Sequence, residues 1–415
     1  MTKFFTRERF GTPQFAALAL LCCFLAQCLW LIHLLIRATP DEPISNLLII
    51  DEGLREWHGR GIAGTPLGRD DAGAQLWQHS QLGFHSDYDR NHSAFFYLIA
   101  AAPALVTGAS PFTLQPGVGI SPALRWLIRA PFLIFGALLG ASVWYVARRL
   151  YGNPGGYIAL ALYCFSPLIV SASAMTLVQP EIGAAWGAFG AIFTAIAVAH
   201  TLYAPREVVL WNWRRILLLG VSLALAVGSQ FSTVIILPLA LIFMLYLAPT
   251  RRLAALVILL SSCAIAFLIL WGSYRFSFGA LVDGFRHAQF FSVSTAAMRM
   301  KVTYQLLGTT LVRTGPAIML LLLISVVTYF SWPRTRYFGA TAPLLVWIIF
   351  LLIAILSPHS PGFGFSLLAV PFMFVFIAGI FADLLETPHR SLVGACLLGV
   401  VAAHALWSLV GLSRL

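Results

Sequence analysis

The sequence predicts an all-α, polytopic membrane protein in which residues 1–415 form a single domain with about eleven transmembrane helices. Of the 415 residues, 60% are hydrophobic and only 10% are charged, and the mean hydropathy is +0.86. A water-soluble domain carries about 25% charged residues, so this chain has too little polar surface to cover a globule in water. Apolar runs of about 20 residues recur along the chain, and that length crosses a hydrocarbon core of about 30 Å.

The predicted spans follow the positions of these apolar runs. The first, 14–36, is too long for the apolar part of a signal peptide and is expected to remain as a helix. The other predicted spans are 126–147, 156–175, 182–203, 215–228, 231–248, 253–273, 314–331, 339–357, 364–384 and 391–412. All six cysteines lie within apolar runs, so neither a disulfide framework nor a zinc site is predicted.

Residues 94–108 decide the orientation of the chain. This apolar stretch has only about 15 residues and contains Pro103, so two interpretations are open. If the stretch crosses the bilayer, the next helix runs in the opposite sense, and Arg148 and Arg149 lie outside. If it is a helix at the membrane surface, one orientation places five short basic loops on the cytoplasmic side, as the positive-inside rule requires. We adopt the second interpretation.

In this orientation the N-terminus is cytoplasmic and two long segments lie outside. Residues 37–125 form the first outer loop, with juxtamembrane helices, and residues 274–313 form the second. The short loops suit a bacterial inner membrane with the active face in the periplasm. The formal net charge of +11 does not indicate a nucleic-acid partner, because most basic residues lie at helix ends.

Carboxylates are concentrated in the first outer loop. Nine of the 15 Asp and Glu residues lie within residues 41–89. Asp51 and Glu52 directly follow an apolar run, which would deliver them partly desolvated to the membrane surface. A desolvated carboxylate is a stronger base, as general-base activation of a hydroxyl or amine acceptor requires. Alternatively, the two acids only open a helix over 51–58, where negative charge suits the helix dipole.

Glu181 is the second candidate acid. It ends the sequence Gln179-Pro180-Glu181, which separates two apolar runs. Ionisable residues at such a depth usually face a cavity or a charged partner and mark a functional site. The alternative is that Glu181 only caps the helix that begins at Ile182.

The second outer loop is basic although it lies outside, since it contains a single acid, Asp283. A basic surface beside the outer leaflet suits a phosphate or diphosphate head group; a solvated amphipathic segment attracted to anionic lipid is the alternative. The candidate ligands in this loop are Arg275, Arg286, His287, Arg299 and Lys301. Three further candidate ligands are Arg90, His92 and His359. For His359, a lone histidine in an outer turn, a structural role is the alternative.

The order of these features resembles the GT-C superfamily of polytopic glycosyltransferases, in particular the protein O-mannosyltransferases and lipid A aminoarabinose transferases. The acidic pair and an aromatic juxtamembrane helix are followed by Arg129-Ala-Pro-Phe-Leu-Ile-Phe-Gly136 and Ala147-Arg-Arg-Leu-Tyr-Gly152. Gln179-Pro180-Glu181 then stands where the family has an Arg-Pro-Asp type triplet. The resemblance is strongest over residues 46–245.

This resemblance implies an inverting glycosyltransferase that takes its sugar from a polyprenyl-phosphate carrier in the membrane. No cofactor is expected, and a divalent metal is possible but not indicated. Asp51 would activate the acceptor as general base, with Glu52 beside it, and Glu181 would be the second outer-face acid. His92 would open a segment similar to His-Pro-Pro-Leu-Tyr-Tyr. The acceptor is left open as a protein, a lipid or a glycan.

Two departures from the family pattern leave alternatives open. Gln179 and Gln230 stand where the family has Arg and Lys. Either the second outer loop supplies the missing cations, or the chain is a non-catalytic scaffold subunit with a membrane protein partner. A lipid or solute transporter is the third hypothesis, but the sequence shows none of the inverted repeats that many transporters contain.

Overall fold

The structure is a computed structural model that describes residues 12–38, 42, 44–58, 92–108, 121–176, 181–203, 213–288, 305, 308–309, 314–356 and 364–413. All regular secondary structure in these ranges is helical. The α-helices are α1 Thr12–Ala38, α2 Ile44–His58, α3 Ala94–Val106, α4 Pro122–Leu127, α5 Ala130–Cys164, α6 Pro167–Ser173, α7 Ile182–Thr201, α8 Trp213–Ser229, α9 Ile236–Leu247, α10 Arg252–Ser273, α11 Phe278–His287, α12 Pro316–Ser331, α13 Phe338–Leu356, α14 Gly364–Leu385 and α15 Arg390–Ser413. Short 3-10 helices, Phe231–Ile235 and Pro333–Thr335, precede α9 and α13.

Several of these helices are suited to a bilayer by their length and composition. Seven helical segments of the described chain are long and apolar enough to cross a membrane, namely Gln14–Ala38, Pro122–Cys164, Ile182–Thr201, Arg252–Ser273, Phe338–Leu356, Gly364–Leu385 and Arg390–Gly411. Three shorter apolar segments are Ala94–Val106, Phe231–Leu247 and Pro316–Ser331. The predicted all-α, polytopic membrane fold is confirmed. The number of about eleven spans stays a prediction.

The long helix α5 is a hairpin of two arms. Gly152 has φ 74° and ψ −171°, a left-handed conformation that only glycine adopts readily. A Cβ on Gly156 would lie 2.8 Å from the Cβ of Arg148, and the Tyr163 hydroxyl donates to the Gly136 carbonyl at 2.5 Å. The chain therefore reverses at Gly152, and the two arms correspond to the separate predicted spans 126–147 and 156–175.

The second arm is interrupted where the sequence predicted a continuous helix to residue 175. Helix α5 ends at Cys164, and Ser166 is extended with φ −80° and ψ 114°, the conformation that a residue before proline prefers. Pro167 then begins α6. The Gln27 side chain donates to the Cys164 carbonyl at 3.1 Å. Helix α1 therefore supplies a hydrogen-bond donor at the point where the backbone hydrogen bonds of α5 end.

Helix α14 forms the centre of the bundle. Within it, 94% of the most apolar window is buried inside the protein, because the helix is apolar on all sides and neighbouring helices surround it. Aromatic side chains fill this contact: the Phe372 ring lies 5.2 Å from Phe189 of α7 and 5.7 Å from Phe350 of α13. The outer helices instead expose apolar side chains, as expected of a surface in contact with lipid.

Contacts between turns define one end of the bundle, which we call the basic end. Tyr151 donates to the Gly339 carbonyl at 2.6 Å, and the Thr250 hydroxyl lies 3.3 Å from that of Tyr203. The described arginines at this end are Arg148, Arg149, Arg214, Arg215, Arg251, Arg252, Arg334, Arg336 and Arg390. The opposite end, which contains α2, the start of α3 and the start of α7, is called the site end.

The start of α2 rules out one alternative for Asp51 and Glu52, namely that they open a helix. It begins at Ile44, so Asp51 and Glu52 lie in its middle. The interpretation in which these two acids open a helix at residue 51 is therefore wrong, and a helix dipole does not explain their presence. Helix α3 has only 13 residues, about 20 Å in length, which is too short to cross the hydrocarbon core.

Candidate functional site

The candidate site is built on acidic side chains that α2 buries at the site end. Asp51 is 7% exposed, Glu52 is 0% exposed and Glu56 is 1% exposed. Arg55, one turn after Asp51, donates from Nε to its Oδ2 at 2.9 Å and is itself buried. Buried charges persist only where partners or a functional role compensate for lost hydration. Helix α2 is therefore an ionic element enclosed by the protein.

A close helix contact fixes α2 against α3. A Cβ on Gly53 would lie 2.2 Å from the Tyr97 carbonyl oxygen and 2.4 Å from the Ala101 Cβ. Only glycine permits this approach. The Trp57 indole also donates to the Leu98 carbonyl at 2.9 Å. These contacts hold the acids of α2 beside the helix that His92 precedes.

Glu181 lies at the same end, at the N-cap position of α7, with 0% exposure. Its side chain does not cap α7. Instead, Oε2 accepts the backbone N–H of Gly364 at 2.5 Å, and Oε1 lies 4.0 Å from Nε2 of His92. The carboxylate thus joins α3, α7 and α14, and the simple helix-cap alternative does not account for its contacts.

His92 is buried and oriented by its neighbours. Its ring lies 4.6 Å from the Phe96 ring, and Ser93 anchors the start of α3 by donating from Oγ to the Gly228 carbonyl at 2.6 Å. Gln230, where the family resemblance expects a lysine, is fully buried, and its amide donates to the Ser232 hydroxyl at 2.9 Å. This turn therefore lies near the site without contributing a cation at position 230.

Sequence reasoning missed a second buried ionic cluster. The Glu42 carboxylate accepts from Arg125 Nε at 2.9 Å, from Arg129 Nη2 at 2.5 Å and from Asn46 Nδ2 at 2.7 Å. All four residues are buried. In the sequence, Glu42 stands out only as one of the acids of the first outer loop, and Arg129 only as part of a family motif. Their positions are too far apart in the chain for their spacing to predict a contact. The cluster ties the residues before α2 to α4 and α5.

An apolar crevice lies beside the charged part of the site end. It is too narrow to hold a water molecule and is lined by Phe96, Ile99, Phe132, Phe135, Gly183 and Ser229. Each lining residue is close in sequence to a polar residue of the site end: the lining residues of α3 follow His92, those of α5 follow Arg129, Gly183 follows Glu181, and Ser229 precedes Gln230. The crevice is therefore the apolar continuation of the polar site.

The basic candidate ligands have different positions. Arg275 donates from Nη2 to the carbonyls of Glu56 at 2.8 Å and Trp57 at 2.5 Å, at the C-terminal end of α2. Arg286 lies exposed on α11. The side chain of His287 lies outside the described part of the structure, as do Arg90, Arg299, Lys301 and His359. The predicted phosphate-binding role of these residues stays a prediction.

A metal requirement stays untested. The described residues contain no group of three or more His, Cys, Asp or Glu side chains that could hold an ion. The first outer loop does, however, contain an Asp-x-Asp pair, Asp87 and Asp89, outside the described ranges. Carboxylate pairs of this kind are common ligands of divalent cations, and a role for this pair in metal binding stays open to test.

Comparison with known proteins identifies the fold. The family of dolichyl-phosphate-mannose-protein mannosyltransferases matches residues 110–274. Archaeal oligosaccharyltransferase AglB from Archaeoglobus fulgidus, solved with an inhibitory peptide and a dolichol-phosphate, is similar with a TM-score of 0.56 and 13% identity, over 96% of this chain and 55% of AglB. ArnT from Cupriavidus metallidurans, solved in the apo state, is similar with a TM-score of 0.57 and 14% identity, over 94% of this chain and 64% of ArnT.

The chain thus spans less than two thirds of the length of either solved protein. No functionally curated protein matches the sequence significantly. The family match and the two structural similarities agree with the order of motifs read from the sequence. The chain therefore has the fold of these polytopic membrane glycosyltransferases, and its residues 110–274 match the mannosyltransferase family.

Proposed function

We propose that this protein transfers a sugar from a polyprenyl-phosphate carrier to an acceptor at the outer face of the membrane, with inversion at the anomeric carbon. The observation that carries the proposal is the burial of Asp51, His92 and Glu181 at one end of a GT-C fold. Burying these groups is unfavourable unless they are compensated, and burial at a membrane surface is the setting in which acid–base groups act.

Asp51 is the proposed general base. The acceptor hydroxyl or amine would give its proton to the Asp51 carboxylate as its oxygen or nitrogen bonds to the anomeric carbon. The bond between that carbon and the phosphate oxygen breaks at the same time, and polyprenyl phosphate leaves with the electron pair. A single displacement of this kind inverts the configuration. Arg55 fixes the orientation of the carboxylate through the 2.9 Å ion pair.

Glu181 and His92 are proposed to border the donor head group. Glu181 is held by the Gly364 amide and faces the His92 ring, so it would orient that ring rather than take the acceptor proton. An imidazole at this position can donate a hydrogen bond to a phosphate oxygen. The basic residues of the second outer loop are proposed to supply the remaining positive charge, because Gln230 cannot.

The apolar crevice supports a lipid-linked donor. Its lining is aromatic and aliphatic, which suits a polyprenyl chain more than a sugar, since isoprene units have no hydrogen-bonding groups to satisfy. The crevice would have to widen to admit the tail, because it is too narrow for a water molecule in this structure. A donor bound there would place its phosphate among polar groups and its tail in the bilayer.

The test is sugar transfer in membranes that contain the full chain or its Asp51→Asn variant. Polyprenyl-phosphate hexoses and pentoses with a radiolabelled sugar are supplied in turn, and release of polyprenyl phosphate is measured. The account predicts that Asp51→Asn lowers release by roughly 100-fold or more, whereas Asp283→Asn, a matched change on α11, keeps most of the activity.

Two results would contradict the proposal. One is that no donor is consumed by the unchanged chain in membranes that contain candidate acceptors. The other is that the phenotype of the host cell depends on the chain but not on Asp51. The second result would favour a scaffold subunit, for which the uncharged Gln230 at a position where the family has lysine is the supporting observation.

A further inference from the structure

The basic end of the bundle has a large excess of positive charge that the mechanism does not use. Nine arginines lie there, against two described carboxylates, Asp383 and Glu386. Glu386 is already paired with Arg334, and Asp383 lies beside the Tyr337 hydroxyl, which it hydrogen-bonds. Within the described residues, this end therefore carries a net positive charge.

The helix dipoles add to the positive charge at this end. Arg214 and Arg215 lie in the first turn of α8, Arg251 and Arg252 lie at the start of α10, and Arg390 is the first residue of α15. None of these three helices has an acid in its first turn. Cations are disfavoured at the positive end of a helix dipole, and anions are favoured there. An anion beside these five arginines would be stabilised both by the guanidinium groups and by the positive ends of the helix dipoles.

Several of these guanidinium groups remain available. Arg336 donates to the carbonyls of Tyr329 and Phe330 at the end of α12. In contrast, the side chains of Arg251, Arg252 and Arg390 are exposed, and no side-chain hydrogen bond or ion pair is seen for them within the described ranges. The available groups lie at the starts of α10 and α15, at the same end of the bundle.

Tryptophans place this surface at the boundary of the hydrocarbon core. Arg148 lies over the Trp144 ring at 5.1 Å, Arg214 over Trp213 at 5.7 Å and Arg334 over Trp332 at 5.6 Å. Tryptophan is enriched at membrane interfaces, and the cation–π contact keeps each guanidinium beside its ring. The arginines are therefore at the depth of lipid head groups.

We propose that the basic end binds anionic phospholipid head groups, such as phosphatidylglycerol, and prefers them to zwitterionic lipid. A zwitterionic head group brings its own cation, so it cannot neutralise this surface, whereas the phosphate of an anionic lipid can pair with Arg251, Arg252 and Arg390. The binding is independent of the proposed sugar transfer, because the surface lies at the opposite end from Asp51 and Glu181.

The test is native mass spectrometry of the delipidated full chain in detergent, titrated with phosphatidylglycerol or phosphatidylcholine of identical acyl chains. We expect phosphatidylglycerol to bind roughly tenfold more tightly, and the preference to shrink in roughly 1 M salt. The double variant Arg251→Gln/Arg252→Gln should lose about fivefold in phosphatidylglycerol affinity. The control Arg37→Gln, an exposed arginine in the last turn of α1, should lose much less.

Equal binding of the two lipids to the unchanged chain overturns the proposal, as does a preference that salt does not reduce. A loss in Arg37→Gln as large as that in the double variant also overturns it, because the site would then lie elsewhere. The salt dependence is measured on the unchanged protein, so the proposal stays testable even if the double variant does not fold.

Discussion

The Oε1 atom of Glu181 lies 4.0 Å from Nε2 of His92, and both side chains are fully enclosed by the protein. The two residues come from distant parts of the sequence: His92 precedes α3, and Glu181 is the N-cap residue of α7. Their approach brings one candidate acid and the candidate histidine into one buried contact.

Replacing Glu181 tests the role of this pair. Glu181→Gln keeps an acceptor for the Gly364 amide but removes the negative charge that faces His92. We expect sugar transfer to fall by roughly 100-fold while the protein remains folded. Transfer rates and thermal unfolding in detergent check this. Glu386→Gln, the same change at the basic end, is the control, and equal activity of the two variants would show that the pair is not part of the site.

The close contact of α2 with α3 predicts strong sensitivity at Gly53. A side chain there would collide with the Tyr97 carbonyl and the Ala101 side chain, so α2 and its acids would have to move. Gly53→Val should lower the free energy of unfolding by roughly 1–3 kcal/mol and reduce transfer more than stability alone explains.

Gly399 of α15 provides the matched control, because an added Cβ there meets no atom within 4 Å. Gly399→Val should leave stability and transfer close to those of the unchanged chain. A Gly53→Val variant as stable and active as this control would mean that α2 does not pack on α3 in the way described.

The Glu42 cluster predicts a large stability effect. Glu42→Gln leaves Arg125 and Arg129 buried with no neutralising carboxylate from Glu42, which should lower the free energy of unfolding by roughly 3–5 kcal/mol. Glu386→Gln breaks an exposed pair and should cost less than about 1 kcal/mol. Unfolding of the two variants in the same detergent compares them, and similar losses would contradict a structural role for the cluster.

Arg275 provides a test between two roles. Its guanidinium holds the last carbonyls of α2, so Arg275→Ala should speed amide hydrogen exchange at the end of α2 severalfold. Arg286→Ala should not. If exchange is unchanged and KM for the lipid donor rises instead, Arg275 is a phosphate ligand, as its place in the basic outer loop suggests.

The sequence was sufficient for the fold class and for the order of motifs, because apolar length and charge asymmetry depend on local composition. It also separated the two arms of α5, since Gly152 and Pro154 stand between two apolar runs. The helix containing Asp51 was placed too late, because the acidic pair resembles a helix start although Ile44–Ile50 is already helical.

Side-chain pairings were beyond the sequence. Three contacts join segments that are distant in the chain. They are the ion pairs of Glu42, the hydrogen bond from Gly364 to Glu181, and the hydrogen bonds from Arg275 to the end of α2. The spacing of residues within one helix does not determine which helices are neighbours. Gly53 gave no usable signal either, because a glycine within a helix also occurs where no close contact exists.

The central claim is that α2, His92 and Glu181 enclose the phosphate of a lipid-linked donor. A cryo-EM map of the full chain with polyprenyl phosphate tests it most directly. The account predicts phosphate density at the site end, beside His92 and on the Asp51 side of α3, with the prenyl chain along Phe96 and Phe132. Phosphate density at the basic end, or a prenyl chain remote from that crevice, would contradict it.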